Sequence, residues 1–406
     1  MTKYKFLCAD IGTTSLKVAL VSETGQVLSF SRINFEHTEK FKISDEWSKA
    51  LKKAVAEIKR GLNEDSLDCD AICVSGNGPT IVSEDGTTLL WNEKLDFEIK
   101  IPEEFSSSLF LPRIEAFAKL FPQKFESQKF FSGPEFLIWK LCKTQITVLP
   151  EARYESAYWN EKALLAINAR PAFFGKFVNP GFNCGTLTKE ACDKFSIKKE
   201  IPVIAGGPDF IAAMIGTNSL SKGKLYDCAG SSEGINLCVD VPVFKNGVRT
   251  LPSVIPGLWN AAVLMQSSGR KFVDCKKNFE LEYGKEVSYE NYIQYCFENK
   301  TSEGFKTINA LAHSVKDGIQ ILKNLADEKG LPISDVITVT GGQAKNDRWL
   351  QFKADVADYK FCVTKVPDSE LIGDAALALY GLGLCSSIQE AAEKIVIPEK
   401  TFFPGK

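Results

Sequence analysis

Three short segments of this chain combine glycines, hydroxyls and carboxylates in patterns suited to handling phosphate. The first is Asp10-Ile11-Gly12-Thr13-Thr14-Ser15-Leu16-Lys17. A glycine between two strands lets a ligand approach bare backbone. Successive N–H groups and hydroxyls in such a turn bind phosphate oxygens, and a carboxylate at the strand end can hold Mg²⁺ through water. An ordinary hairpin with polar turn residues would read the same way. The second segment runs Ile204-Ala205-Gly206-Gly207-Pro208-Asp209 into an apolar stretch, 210–216. Asp209 is there a good N-cap for a helix. It is also a carboxylate held in a fixed direction, able to accept a hydroxyl proton as a phosphoryl group moves. The third is Val339-Thr340-Gly341-Gly342-Gln343-Ala344-Lys345-Asn346, where a strand feeds two glycines and then a helix. Bare backbone at that point could seat a purine or ribose, or simply make a tight turn. The chain contains neither G-x-G-x-x-G nor G-x-x-x-x-G-K-[ST], so the dinucleotide-fold and P-loop readings both lose.

Positioning these groups requires strands that stop at the right residues. Alternation predicts strands over 4–9, 16–21 and 27–33, broken by turns at 10–14 and 23–25. An amphipathic helix is expected over 44–61, with Trp47, Leu51, Ala54, Val55 and Ile58 at helical spacing. A compact strand over 70–75 ends in Gly76-Asn77-Gly78-Pro79, whereas 103–170 yields no topology. Residues 224–240 then repeat the opening unit: apolar run, polar turn Gly230-Ser231-Ser232, apolar run, with a Cys-Ala pair before each turn. This echo predicts a duplicated fold in which a turn from each half faces a central cleft, the halves dividing at residues 1–218 and 219–406. Farther on come a helix over 307–328, a buried strand over 336–340, a helix from Asp347 and a small-residue helix over 373–381. Strands alternating with helices imply an α/β class.

Bulk properties narrow the function. With 406 residues, 44% of them hydrophobic, the chain is long enough for two cores, since single ones stop growing at about 250–300 residues. A formal net charge of −2 offers nothing to a nucleic-acid backbone or an anionic membrane. Of twelve cysteines, Cys8, Cys73, Cys228, Cys238 and Cys362 sit in apolar, strand-like runs, where a thiol behaves as a small hydrophobe. Only His37 and His313 could assist them, so no Cys/His metal site is expected. Neither a secretory leader nor a run of about 18 apolar residues is present, and a reducing cytoplasm is the expected location.

Taken together, the three segments resemble the FGGY carbohydrate kinases of the actin-like ATPase superfamily, of which this would be a short, divergent member similar to the xylulokinase type. The resemblance is good over 4–33, 200–240 and 336–383 and thin over 95–200. It implies two actin-like (ribonuclease H-like) domains. It also implies an ATP- and Mg²⁺-dependent phosphoryl transfer to a hydroxyl of a ketose or polyol. By that resemblance Asp10 holds the metal, and Gly12, Thr13, Thr14 and Lys17 meet phosphate with Gly230, Ser231 and Ser232. Gly341, Gly342, Gln343 and Asn346 meet adenosine, and Asp209 is the general base. Asn77, Gly78, Pro79, Asn92 and Glu93 fall with Asp209 on the sugar side. There the chain departs from its relatives: the family's Gln with Met-His or Arg-Glu is absent after Ser75, and Leu90-Trp91-Asn92-Glu93 lacks the arginine that usually follows. Those losses keep a second reading open, an actin-like ATP-binding regulator without sugar kinase activity. The expected partners are a small sugar or polyol and a second copy in a homodimer, with neither nucleic acid nor membrane.

Overall fold

The first hairpin forms where alternation places it, but its ladder runs farther than the apolar residues do. In the computed structural model, which describes residues 3–36, 39–230, 232–265 and 268–405, strand β1 (Lys5–Ile11) pairs antiparallel with β2 (Ser15–Ser22). Asp10 stands opposite Lys17 and Ile11 opposite Leu16. The turn is thereby reduced to residues 12–14, and Asp10 is fixed in a ladder rather than carried on a loop. Opposite charges facing each other across the pair hold the register at that point.

By its contacts the chain divides into two units, Met1–Gly216 with Glu370–Ile395, and Thr217–Ser369 with Val396–Lys406. In the first unit, β3 (Val27–Asn34) continues the meander from β2, and β4 (Ala71–Gly76) lies parallel to β1. Strand Pro202–Pro208 runs parallel to β4, and Asn183–Thr186 closes the six-stranded sheet. Helix α1 (Ser44–Leu62) buries Trp47, Leu51, Ala54, Val55 and Ile58 in the first core, the face that helical spacing marks out. Residues 103–170, which gave no topology, hold short elements such as Leu111–Leu120, Gly133–Cys142 and the strand Ile146–Val148.

The second unit repeats the plan. Leu225–Ala229 and Glu233–Val239 form an antiparallel pair extended by Trp259–Met265, while Val336–Gly341 and Lys360–Thr364 add in parallel and Pro398–Phe402 antiparallel. The expected duplication is therefore present as topology, with three antiparallel strands, two parallel additions and an antiparallel edge in each sheet; Arg249–Pro252 is an extra edge of the second. The long helix Glu303–Lys329 starts earlier than hydrophobic spacing suggests because Ser302 caps it, accepting from the Phe305 amide. All twelve cysteines are free thiols. Among the described residues, no helix is long and apolar enough to cross a membrane.

Candidate active site

In the first unit, the Asp10 carboxylate is nearly sealed from solvent, 2% exposed. Its Oδ2 lies 3.2 Å from the Lys17 ammonium, which also reaches Glu370 Oε2 at 3.5 Å. The other oxygen, Oδ1, is buried without a hydrogen-bond partner. A buried acceptor left unmatched costs free energy unless a ligand or ion completes it. Beside it the turn is closed by the Gly12 amide donating to the Ser15 carbonyl at 2.9 Å, and Thr13 and Thr14 are exposed.

Asp209 owes its placement to the two glycines before it. Pairing with β4 shifts register between Ala205 and Gly207, a bulge that re-aims the strand. A Cβ on Gly206 would stand 2.4 Å from the Val74 carbonyl oxygen, and Gly207 has φ +89° with Val148 2.8 Å from where its Cβ would be. No other residue fits either position. The chain then enters helix Asp209–Gly216, whose first residue is Asp209 itself, its Oδ1 accepting from the Phe210 amide at 2.7 Å. Withdrawal from water pushes the Asp209 carboxyl up to about 7, the Asp10 and Glu370 carboxylates adding to the shift.

A further carboxyl, absent from the sequence reading, joins this group. Asp374, fully buried, accepts from Ser75 Oγ at 3.0 Å and contacts Cys73 Sγ at 3.6 Å. Ser75 stands in register between Asp10 on β1 and Gly207 on the neighbouring strand. Asp374 thus fastens the strand end that lies between β1, which carries Asp10, and the strand that leads to Asp209. Burial drives its own carboxyl well above the usual range, with Asp10 contributing.

The sugar-side residues divide. Gly78 is exposed and Pro79 half-buried, joined by a cis peptide bond. Asn77 is buried, its Nδ2 donating to the Ile11 carbonyl at 3.1 Å and its Oδ1 accepting from Thr80 at 3.0 Å. Its amide is engaged in holding the turn. Asn92 is exposed, and Glu93 pairs with Lys40 at 3.2 Å. Arg113, on helix Leu111–Leu120, donates to the main-chain carbonyls of Trp91 and of Glu93.

In the second unit, Gly230 and Ser232 are exposed at the turn between the paired strands, and Ser231 lies outside the described residues. Gly341 has φ +90°, and a Cβ there would meet the Ala229 carbonyl oxygen at 2.5 Å, whereas one on Gly342 would meet nothing within 4 Å. The first glycine is required by the fold; the second leaves bare backbone facing open space. Asn346 caps helix Asp347–Ala357, its Oδ1 accepting from the Trp349 amide at 2.9 Å. Gln343 is buried and donates from Nε2 to Glu233 Oε2 at 2.8 Å. Behind it lies an ion cluster that the motifs did not disclose. The fully buried Lys353 ammonium sits 2.7 Å from Asp227 Oδ2 and 2.5 Å from Glu233 Oε1. Burial pushes the Asp227 carboxyl up while Lys353 pulls it the other way.

These two sheets of matching topology, each ending in a glycine-rich polar turn, belong to a carbohydrate kinase. Residues 300–382 match the C-terminal domain of the FGGY family of carbohydrate kinases. It is 22% identical to the xylulose kinase of Bacillus subtilis (strain 168), over 97% of this chain and 92% of that one. In fold it matches the crystal structure of xylulose kinase from Rhodospirillum rubrum with a TM-score of 0.74, at 14% identity over 99% of this chain and 94% of the other. Plasmodium falciparum glycerol kinase with ADP matches equally well, TM-score 0.74 at 15% identity over 98% and 94%.

Proposed function

We propose that this sugar kinase transfers the γ-phosphoryl group of ATP to a hydroxyl of a ketose or polyol, with Asp209 as general base. The reading is carried by one observation: a bulge made by two obligatory glycines presents a carboxyl, raised to about 7, at the head of a helix in the same unit as Asp10. As the acceptor oxygen bonds to the γ-phosphorus, its proton passes to Asp209. The bond from that phosphorus to the bridging oxygen breaks, and its electron pair leaves with ADP. The hydroxyls of Thr13 and Thr14 and the Gly12 turn would donate to phosphate oxygens where charge spreads. The bare backbone at Gly342 would receive the adenosine.

A magnesium ion suits these residues in a limited way. Asp10 Oδ1 is a buried acceptor without a partner, yet no group of three or more His, Cys, Asp or Glu among the described residues forms a cage. That matches an ion bound through one carboxylate and the nucleotide's phosphates. Bound at Asp10, it would supply neutralisation of phosphate charge. Lys17, held between Asp10 and Glu370, limits the repulsion between those two carboxylates.

The test is ADP release with Mg²⁺-ATP across pentuloses, hexuloses, aldoses and polyols. Strong stimulation by one compound is expected. Tight ATP binding without stimulation by any would favour the regulator, in keeping with the engagement of Asn77 in its own turn. Where turnover occurs, it should rise with pH through about 7, because the base works only when ionised and burial holds its proton to that point. A profile flat from pH 5.5 to 8.5 would remove Asp209 from the role. Replacing Gly342 with Val should leave the fold intact, there being nothing within 4 Å to strike, and weaken ATP binding at least tenfold, about 1.4 kcal/mol or more. Unchanged ATP affinity by calorimetry would move the adenosine elsewhere.

A further inference from the structure

Away from the carboxylates just described, three helices of the first unit line an open pocket of about 430 Å³. Its wall is cationic. Lys49 and Lys52 project from α1, Lys140 and Lys143 from the end of helix Gly133–Cys142, and Lys194 from helix Lys189–Phe195. Only Asp45 and Glu190 oppose these five ammonium groups in the lining. Lys49 is paired, with Glu46 at 2.8 Å. Among the described residues, Lys52, Lys140, Lys143 and Lys194 have no carboxylate at ion-pair distance. Three of them have aromatic faces instead: Lys140 lies 4.6 Å from the Trp139 ring centre and 4.8 Å from that of Phe136, Lys143 lies 5.1 Å from Trp139, and Lys194 lies 5.3 Å from Phe195. Cation–π contacts of this kind partly offset the missing anions, and positions in the last turns of helices help similarly.

The lysines also act on one another. Loss of water, then the Lys143 and Lys194 charges, hold the Lys140 ammonium below its usual range. A bound anion would relieve that repulsion, and a single carboxylate would answer too few of the charges. The volume falls among small-molecule pockets, roughly 300–1,000 Å³, and is too small for an extended polyanion to lie inside.

We infer that this pocket is a second ligand site, separate from the kinase centre, which takes a small phosphorylated compound carrying several negative charges. Lysine ammonium groups from three helices would converge on its phosphoryl oxygens, with Ser48 as a hydroxyl donor in the same wall.

The test is residue-resolved acetylation of the full-length protein, read by mass spectrometry, with inorganic pyrophosphate as the probe and potassium chloride at equal ionic strength as the control. Pyrophosphate should slow modification of Lys140, Lys143 and Lys194 at least severalfold, while Lys306, paired with Glu303 on an outer helix face, is unaffected. The double variant Lys52→Glu/Lys143→Glu changes two exposed side chains and should abolish protection at Lys140 and Lys194. Equal slowing by chloride, or protection that survives in the variant, would overturn the site. A short DNA oligomer that protects at lower concentration than pyrophosphate would overturn the small-ligand assignment and point to nucleic acid.

Discussion

Exchanging Asp209 for Asn should reduce phosphoryl transfer by about 10²–10⁴-fold, the range a positioned general base contributes, while ATP affinity stays unchanged. Asn keeps the size of Asp and an oxygen that can still accept from the Phe210 amide, so the helix start and the Gly206-Gly207 bulge should survive. What it lacks is the capacity to take a proton. The pH dependence of the residual rate is informative too, because the rise through about 7 should vanish with the carboxyl that causes it. Turnover close to the parent enzyme's, with the pH profile retained, would show that another group takes the proton.

The second large effect concerns stability. Lys353, Asp227 and Glu233 are all fully buried, and one ammonium serves two carboxylates. Replacing Lys353 with Met leaves both acids facing each other without a cation. Breaking such a buried pair costs about 3–5 kcal/mol, against a total stability of about 5–15 kcal/mol for a typical folded protein. Chemical denaturation should therefore show the second unit unfolding at much lower denaturant. Adding Asp227→Asn and Glu233→Gln should restore much of the loss, since the charges left behind cause it, rather than the absent lysine. A drop no larger than that of Lys306→Met, which removes an exposed partner of Glu303, would mean the cluster carries little weight.

How far the sequence discloses these features depends on how local each one is. The turn after Asp10, the Gly-Gly-Pro-Asp strand end and the Gly341-Gly342 turn are written in consecutive residues, so their chemistry could be read directly. The duplicated plan was visible as well, because each hairpin repeats the same order of apolar run and polar turn. Asp374 and Arg113 act on segments far from them in the chain, and no spacing rule links Asp374 to Ser75 or Arg113 to Trp91. The helix over 373–381 was recognisable by its small residues; that a carboxyl within it would meet β4 was not. Lys353 did leave a trace. It falls with Trp349, Leu350, Ala354 and Ala357 on the buried side of its helix, and a lysine on such a face calls for acids in the apolar strands, where Asp227 stands. Residues 103–170 resisted because elements such as Pro122–Phe125 and Glu161–Ala166 are too short to show a period.

Arg113 hydrogen-bonds 91–93 through main-chain oxygens, those of Trp91 and Glu93. Every residue type has a carbonyl to offer, so these hydrogen bonds persist whatever the side chains become, although the Glu93 carboxylate adds an attraction of its own. Evolution can then exchange Asn92, and with more cost Glu93, without first rebuilding the support beneath them. Substitutions in this segment need not pass through unfolded intermediates. Such a decoupling of scaffold from side chain would let residues 91–93 change while the carboxylates of the first unit keep their places.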